Sequence, residues 1–154
     1  LETATFGAGC FWQVEKIFRE TNGVYIANSG YMGGDTLNPT YKEICTGDTN
    51  HAEVVRINFN PKVISYSDLL DVFWKNHNPT TLNQQGLDIG TQYRSVIFYY
   101  SDEQRLSAEQ SVQDVKSNFS NPIVTQIIPK VKFYRAEEYH QNYLNKNNLG
   151  SCSV

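Results

Sequence analysis

Cysteine is scarce in this chain: Cys10, Cys45 and Cys152 are the only three in 154 residues. Three is too few, and too odd a number, for a disulfide scaffold, and the spacings are not those of metal ligands. A basic block is also missing, and the net charge is −3; nucleic acid is therefore an unexpected partner. No apolar run approaches the ~20 residues that a bilayer-spanning helix needs. The chain carries no secretory signal, internal repeat, low-complexity tract or linker. It begins at Leu1 rather than Met, as expected of a chain whose upstream residues have been removed or left out. What it does contain is aromatic residues, ten Tyr and eight Phe, within a composition that is 40% hydrophobic. That is a globular composition, and the length suffices for one domain with a substantial core.

Hydrophobic periodicity places the elements. Residues 3–8 read as a strand and 10–21 as a helix, with Phe11, Val14, Ile17 and Phe18 on one face. Asn22-Gly23 ends that helix, and Val24 to Ser29 reads as the next strand. Ala52 to Phe59 alternates as a strand, and Ser65 caps a helix bearing Leu69, Leu70, Phe73 and Trp74. Ser95 to Tyr100 predicts another strand, and Ser101 with Gln104 fits a capping box ahead of Ala108, Val112, Val115 and Phe119. Val124 to Phe133 reads as the last main strand, bent or at an edge because of Pro122 and Pro129, and Glu137 to Asn145 as a final short helix. The expected class is α+β: two layers, with helices packed on a central mixed β-sheet as a ferredoxin-like plait, long active-site loops and a coil-rich C-terminal tail. Residues 1–154 are expected to form a single catalytic domain with a mobile tail over 146–154.

Cys10 lies where a strand and a Gly turn meet a helix, in Gly7-Ala-Gly-Cys-Phe-Trp12. A thiol in the first helical turn sees the positive end of the helix dipole and unpaired N–H groups, which favour the nucleophilic thiolate. A buried core cysteine is the competing reading. Gly7 and Gly9, which allow close approach to the backbone, tip the balance toward function. Two long polar loops, from Gly30 to about Asn50 and from Asn76 to Gln92, exceed the usual connection length, and such loops are often functional. They concentrate Gly, Tyr, Gln, Asp and Glu, a composition suited to a site lined by hydroxyls and carboxyls.

Four separated motifs now converge. Gly9-Cys-Phe-Trp12, the Gly47 to Glu53 segment, Gln85-Gly-Leu-Asp-Ile-Gly-Thr-Gln-Tyr-Arg-Ser95 and Glu138-Tyr-His-Gln141 resemble, in order, the peptide methionine sulfoxide reductases of the A type. The similarity runs from about Thr3 to Cys152. It implies reduction of the S epimer of methionine sulfoxide, peptide-bound or free, with Cys10 as nucleophile leaving a sulfenic acid. Glu53 matches the family acid, and a carboxyl donates a proton at neutral pH only if burial raises its pKa. Tyr41 and Tyr93 match residues whose hydroxyls bond the sulfoxide oxygen. Asp88 matches a residue that supports the site through hydrogen bonds. Phe11 and Trp12 match the apolar pocket for the methyl group on sulfur, an interaction worth about 1 kcal/mol.

The resemblance also implies that Cys152 resolves the sulfenic acid as a disulfide with Cys10, and that a thioredoxin-like protein recycles it. Some family members carry two cysteines in a longer tail. A complete chain would have thioredoxin attack the Cys10–Cys152 disulfide directly, whereas a truncated one would have lost a relay thiol. No cofactor is expected beyond thioredoxin as external reductant, and no metal, nucleic-acid or membrane partner. The expected state is a monomer in the cytoplasm.

The remaining candidates are weaker. His51, His77 and His140 do not form a metal set. His77 reads as structural, His51 as a support for the Glu53 segment, and His140 as a neighbour of the site; none is expected as a catalytic base. Arg94 pairs with a carboxylate or faces solvent, two readings the sequence leaves open. Cys45 reads as a structural or incidental thiol. Two other classes compete: a Cys/His hydrolase, with a thiol peroxidase as its near relative, and a non-enzymatic module that binds oxidised or Met-containing segments. The combination of Cys10, Glu53, the Tyr pair and Cys152 speaks against both.

Overall fold

A computed structural model describes residues 1–149. Strand β1 (Glu2–Ala8) turns Ala4 and Phe6 to one face, where both are fully buried. Gly9 makes the turn at φ 95°, and Cys10 is the N-cap of helix α1 (Phe11–Arg19). The helix is shorter than the expected 10–21 because the Thr21 hydroxyl donates to the Ile17 carbonyl (2.8 Å) and Gly23 turns the chain at φ 100°. Strand β2 (Val24–Met32) outlasts its predicted end at Ser29, since Gly30, Tyr31 and Met32 continue to pair with strand β3 (Ala52–Phe59).

Each long loop hides structure that hydrophobic periodicity did not reveal. The first contains the short helix α2 (Tyr41–Cys45), closed by a capping box between Thr40 and Glu43. Helix α3 (Tyr66–Lys75) begins with the same device from Ser65 and Asp68. The second loop folds into a hairpin of β4 (Gln84–Gln85) and β5 (Asp88–Ile89).

Strand β6 (Ser95–Tyr99) leads to α4 (Asp102–Val115), where only half of the expected capping box forms. Ser101 accepts from the Gln104 N–H, but the Gln104 side chain turns away to the Tyr100 N–H and the Thr3 carbonyl. Strand β7 (Gln126–Pro129) is shorter than the predicted 124–133, ending at a proline that has no N–H for the ladder. The chain then supplies the short strand β8 (Tyr134–Arg135). The predicted helix over 137–145 is broken into a 3-10 turn at Glu138–His140 and helix α5 (Tyr143–Lys146), because Asn142 between them is left-handed at φ 54°.

The strands form one six-stranded sheet in the order β7-β6-β1-β3-β2-β8. Every pairing is antiparallel except β6 with β7, so the sheet is mixed and the class is α+β. On the helix-covered face, Phe6 stacks on Phe18 at 5.1 Å and tilts against Phe73 at 5.3 Å. Each such ring contributes roughly 1.5–3 kcal/mol by leaving water. A second cluster of Met32, Ala52, Val54, Val96 and Phe98 fills the opposite face, under Ile128 and Phe133. With both faces packed, the ends of β1 and β3 and the N-terminus of α1 are rigid supports for whatever side chains they carry.

Candidate active site

The strand-to-helix turn is built around two glycines that cannot be replaced. A Cβ at Gly9 would meet the Gln85 side chain at 2.7 Å, and one at Gly7 would meet Val96 at the same distance. What approaches the backbone so closely is therefore the protein itself: the β4–β5 hairpin at Gly9 and strand β6 at Gly7. Gln85 is in turn fixed by Asn78, whose N–H it accepts at 2.8 Å and whose carbonyl it bonds at 2.9 Å. This packing seats the hairpin that carries Asp88 against Gly9, the residue before half-buried Cys10.

Glu53, near the head of β3, enters the same place from below and is only 2% exposed. Its Oε1 accepts the Phe11 N–H at 3.2 Å, one of the open donors at the start of α1, while Oε2 is buried with no hydrogen-bond partner among the described residues. Burial above all, then the charge of Cys10, pushes this carboxyl well above the ordinary carboxylate range; the Phe11 N–H opposes the shift and Asp88 adds to it. The shift is toward the protonated form, as an ionised carboxylate stripped of water and given one donor is costly.

Tyr41 and Tyr93 complete the cluster. Burial raises both phenols, followed in each by the nearby Glu53 carboxyl. Asp88, Cys45 and Cys10 also act on Tyr93, and Tyr41 is within hydrogen-bonding reach of Cys45. Both hydroxyls therefore keep their protons at any physiological pH. The aromatic wall is formed by Phe11, which meets Tyr31 at 5.7 Å and Tyr41 at 6.5 Å, and by Trp12, which stacks on Tyr143 at 3.9 Å.

The fold therefore gathers Cys10, Phe11, Trp12, Tyr41, Glu53, Asp88 and Tyr93 from five separate segments. Cys152 lies outside the described residues. The sequence reading missed three contributors, Cys45, Glu137 and Tyr143. Cys45, read as incidental, lines the cluster beside Tyr41 because α2 returns it there. Glu137 accepts the Tyr31 hydroxyl and the Tyr41 N–H, both at 2.8 Å, and so anchors the start of α2. Tyr143 stacks on Trp12, and His140, expected as a neighbour of the site, accepts its indole N–H. The break at Asn142 brings them there, and no periodic pattern signals it.

The other candidates have defined structural partners. His51 accepts the Gly34 N–H at Nδ1 (3.0 Å), which makes Nε2 the donor to the Thr36 carbonyl (2.7 Å) and ties the first loop to the head of β3. His77 bonds Phe73 O and Ser95 Oγ, both at 2.7 Å, and burial pushes it down to about 4. Arg94 takes neither expected course, donating instead to the Gln126 side chain and the Thr91 carbonyl at 2.9 Å. Among the described residues no group of three or more His, Cys, Asp or Glu could hold a metal ion, and no helix is long and apolar enough to cross a membrane.

Chemically, the cluster is that of a thiol enzyme: a thiol at a helix start, a carboxyl pushed toward its neutral form and two phenols, groups suited to give protons to an oxygen that leaves as sulfur attacks. Residues 2–154 match the family model described as peptide methionine sulfoxide reductase. The chain belongs to that family, and it is an enzyme that reduces methionine sulfoxide. A relative from Methanothermobacter thermautotrophicus, named peptide methionine sulfoxide reductase MsrA, is 59% identical over 153 residues, covering 98% of this chain and 90% of its own. Mxr1 from Saccharomyces cerevisiae in its reduced form is 39% identical with a TM-score of 0.93, covering 98% of this chain and 88% of that one. The same yeast protein in complex with Trx2 is matched at a TM-score of 0.67 and 28% identity, over 90% of this chain and 83% of that one.

Proposed function

We propose that Cys10 attacks the sulfur of an S-configured methionine sulfoxide while Glu53 and the two phenols serve the oxygen. Glu53 carries the reading: with Oε1 occupied by the Phe11 N–H, its proton resides on the unpartnered Oε2, within a site that also holds Cys10. As the Cys10 thiolate adds to sulfur, Glu53 transfers that proton to the developing oxyanion, and Tyr41 and Tyr93 donate hydrogen bonds to it. The hydroxyl then passes from the substrate sulfur to Cys10 Sγ as the bond between the two sulfurs breaks, which releases methionine and leaves Cys10 as a sulfenic acid. Phe11 and Trp12 hold the methyl on sulfur, and Asp88 steadies the Tyr93 side of the site.

Cys152 then attacks the sulfenic sulfur, giving a disulfide and water, and a thioredoxin-type dithiol reduces the disulfide. One comparison supports this step. The Mxr1 complex with Trx2 supplies the precedent for the reductant. A Cys/His hydrolase is disfavoured, because both nitrogens of His51 are committed and His140 uses Nδ1 to accept from Trp12.

The scaffold we infer is a single-domain ferredoxin-like plait, supported by the central strand order β6-β1-β3-β2 with α1 and α3 as the crossovers. We further read the enzyme as a monomer acting in the cytoplasm, where thiols stay reduced. The test is a single-turnover assay of the reduced chain with separate S and R epimers of a methionine sulfoxide peptide and no external reductant. About one product per chain from the S epimer with loss of about two thiols is expected; no product with all thiols retained would sink the reading.

A further inference from the structure

We propose that His140 is a positioning residue for sulfoxide recognition: its imidazole holds the Trp12 indole in place, and substrate affinity depends on that bond. The inference rests on the active-site reading above. His140 is fully buried. Its Nδ1 accepts the Trp12 Nε1–H at 2.9 Å, so in the neutral ring the proton sits on Nε2, which makes no hydrogen bond among the described residues. Burial lowers its basicity and Lys146 acts in the same direction, while Glu137 opposes them; the net effect favours the neutral ring that the indole requires.

The ring is also a hub. It lies 4.3 Å from Tyr41, 5.2 Å from Phe11 and 5.7 Å from Trp12, so one imidazole touches three residues of the candidate site. Its own position is over-determined. The Gln141 side chain accepts the Ser29 N–H and donates to the Ser29 and Ala136 carbonyls, each at 2.9 Å, standing in for a strand beside β2. The Asn142 N–H donates to buried Glu15 of α1 at 2.9 Å. Between these anchors His140 has little freedom, and half-exposed Trp12 inherits that rigidity through a single hydrogen bond and the stack on Tyr143. An aromatic wall held this way is pre-organised for a sulfoxide methyl.

The test uses the full chain and four variants: His140→Phe, which keeps a ring but loses the acceptor; His140→Asn, whose side-chain oxygen takes the place of Nδ1; Trp12→Phe; and the double variant W12F/H140F. In single turnover with N-acetyl-methionine S-sulfoxide amide, His140→Phe is expected to raise the half-saturating substrate concentration about fivefold to tenfold. The maximal rate should stay within about twofold, and His140→Asn should restore most of the affinity. Adding His140→Phe to Trp12→Phe should change nothing further; additive losses would overturn the proposal.

Two nitrogen NMR measurements stand apart from activity. The Trp12 indole N–H should be shifted downfield and slow to exchange in the native chain, and should lose both properties in His140→Phe. In the unmutated protein, His140 Nδ1 should report as unprotonated, a check that survives even if a variant fails to fold. A protonated Nδ1, or an indole signal indifferent to His140, would refute the link. A native chain that reduces no sulfoxide would instead refute the function, leaving the His140–Trp12 bond to be judged by NMR alone.

Discussion

Glu53 and Glu137 stand on two sides of the same cluster and are treated in opposite ways. Glu53, near the head of β3, is buried with one N–H donor, and its carboxyl is pushed up toward the neutral acid. Glu137, in the C-terminal segment, is half-buried. Burial opposes its ionisation too, but the Tyr41 N–H, its own N–H and the Tyr31 hydroxyl together outweigh that and hold it below the ordinary range. The lesson is one of donor count against desolvation. A carboxyl with an unpartnered oxygen in a dry place is a proton source; one with both oxygens bonded is a strut.

The largest break in this comparison removes the thiol that Glu53 faces. Cys10→Ser is expected to abolish sulfoxide reduction, checked by single turnover, with the thermal transition unchanged within a few degrees. It should also lower the Glu53 pKa, since the charge of Cys10 helps to raise it; carboxyl carbon NMR reads this directly. Cys152→Ser is expected to allow one turnover and then stall with thioredoxin, and steady turnover would remove Cys152 from the mechanism. Glu53→Gln should slow the reductive step by about 10²–10⁴-fold, and a near-native single-turnover rate would mean another proton donor.

The same substitution carries a pH signature. Because Glu53 is raised in the folded state, its contribution to stability is full below the unfolded carboxylate pKa and is lost as pH rises toward the folded value. Glu53→Gln should therefore be more stable than the native protein at alkaline pH, and the alkaline fall in its reductive rate should disappear. Glu137 has the opposite sign: its contribution is full above the unfolded pKa and is lost as pH falls through the depressed folded one. Glu137→Gln should cost about tenfold in the reductive step or less, by loosening the start of α2 under Tyr41. A loss as large as that of Glu53→Gln would erase the distinction between acid and strut.

The elements with strong periodicity were legible before any coordinates. Strand β3 matches its predicted span, α3 begins at the predicted Ser65 cap, and β1 and α1 meet at Cys10. The site residues were legible only as motifs. Nothing periodic marks α2, the β4–β5 hairpin or the left-handed Asn142, since each is too short to carry an amphipathic pattern and is held by tertiary partners. Cys45, Glu137 and Tyr143 were missed for that reason: each reaches the cluster through one of these short pieces or the coil around them.

By itself, then, the sequence determined the α+β class and the family, and it singled out a candidate thiol. A Gly-Cys turn between a strand and a helix, and four motifs in order, are local patterns that need no coordinates to be read. What only the tertiary structure decided is protonation and placement. A glutamate's acidity depends on how many donors reach it and how much water leaves, and those quantities exist only once β3, α1, the hairpin and the C-terminal segment close around Glu53.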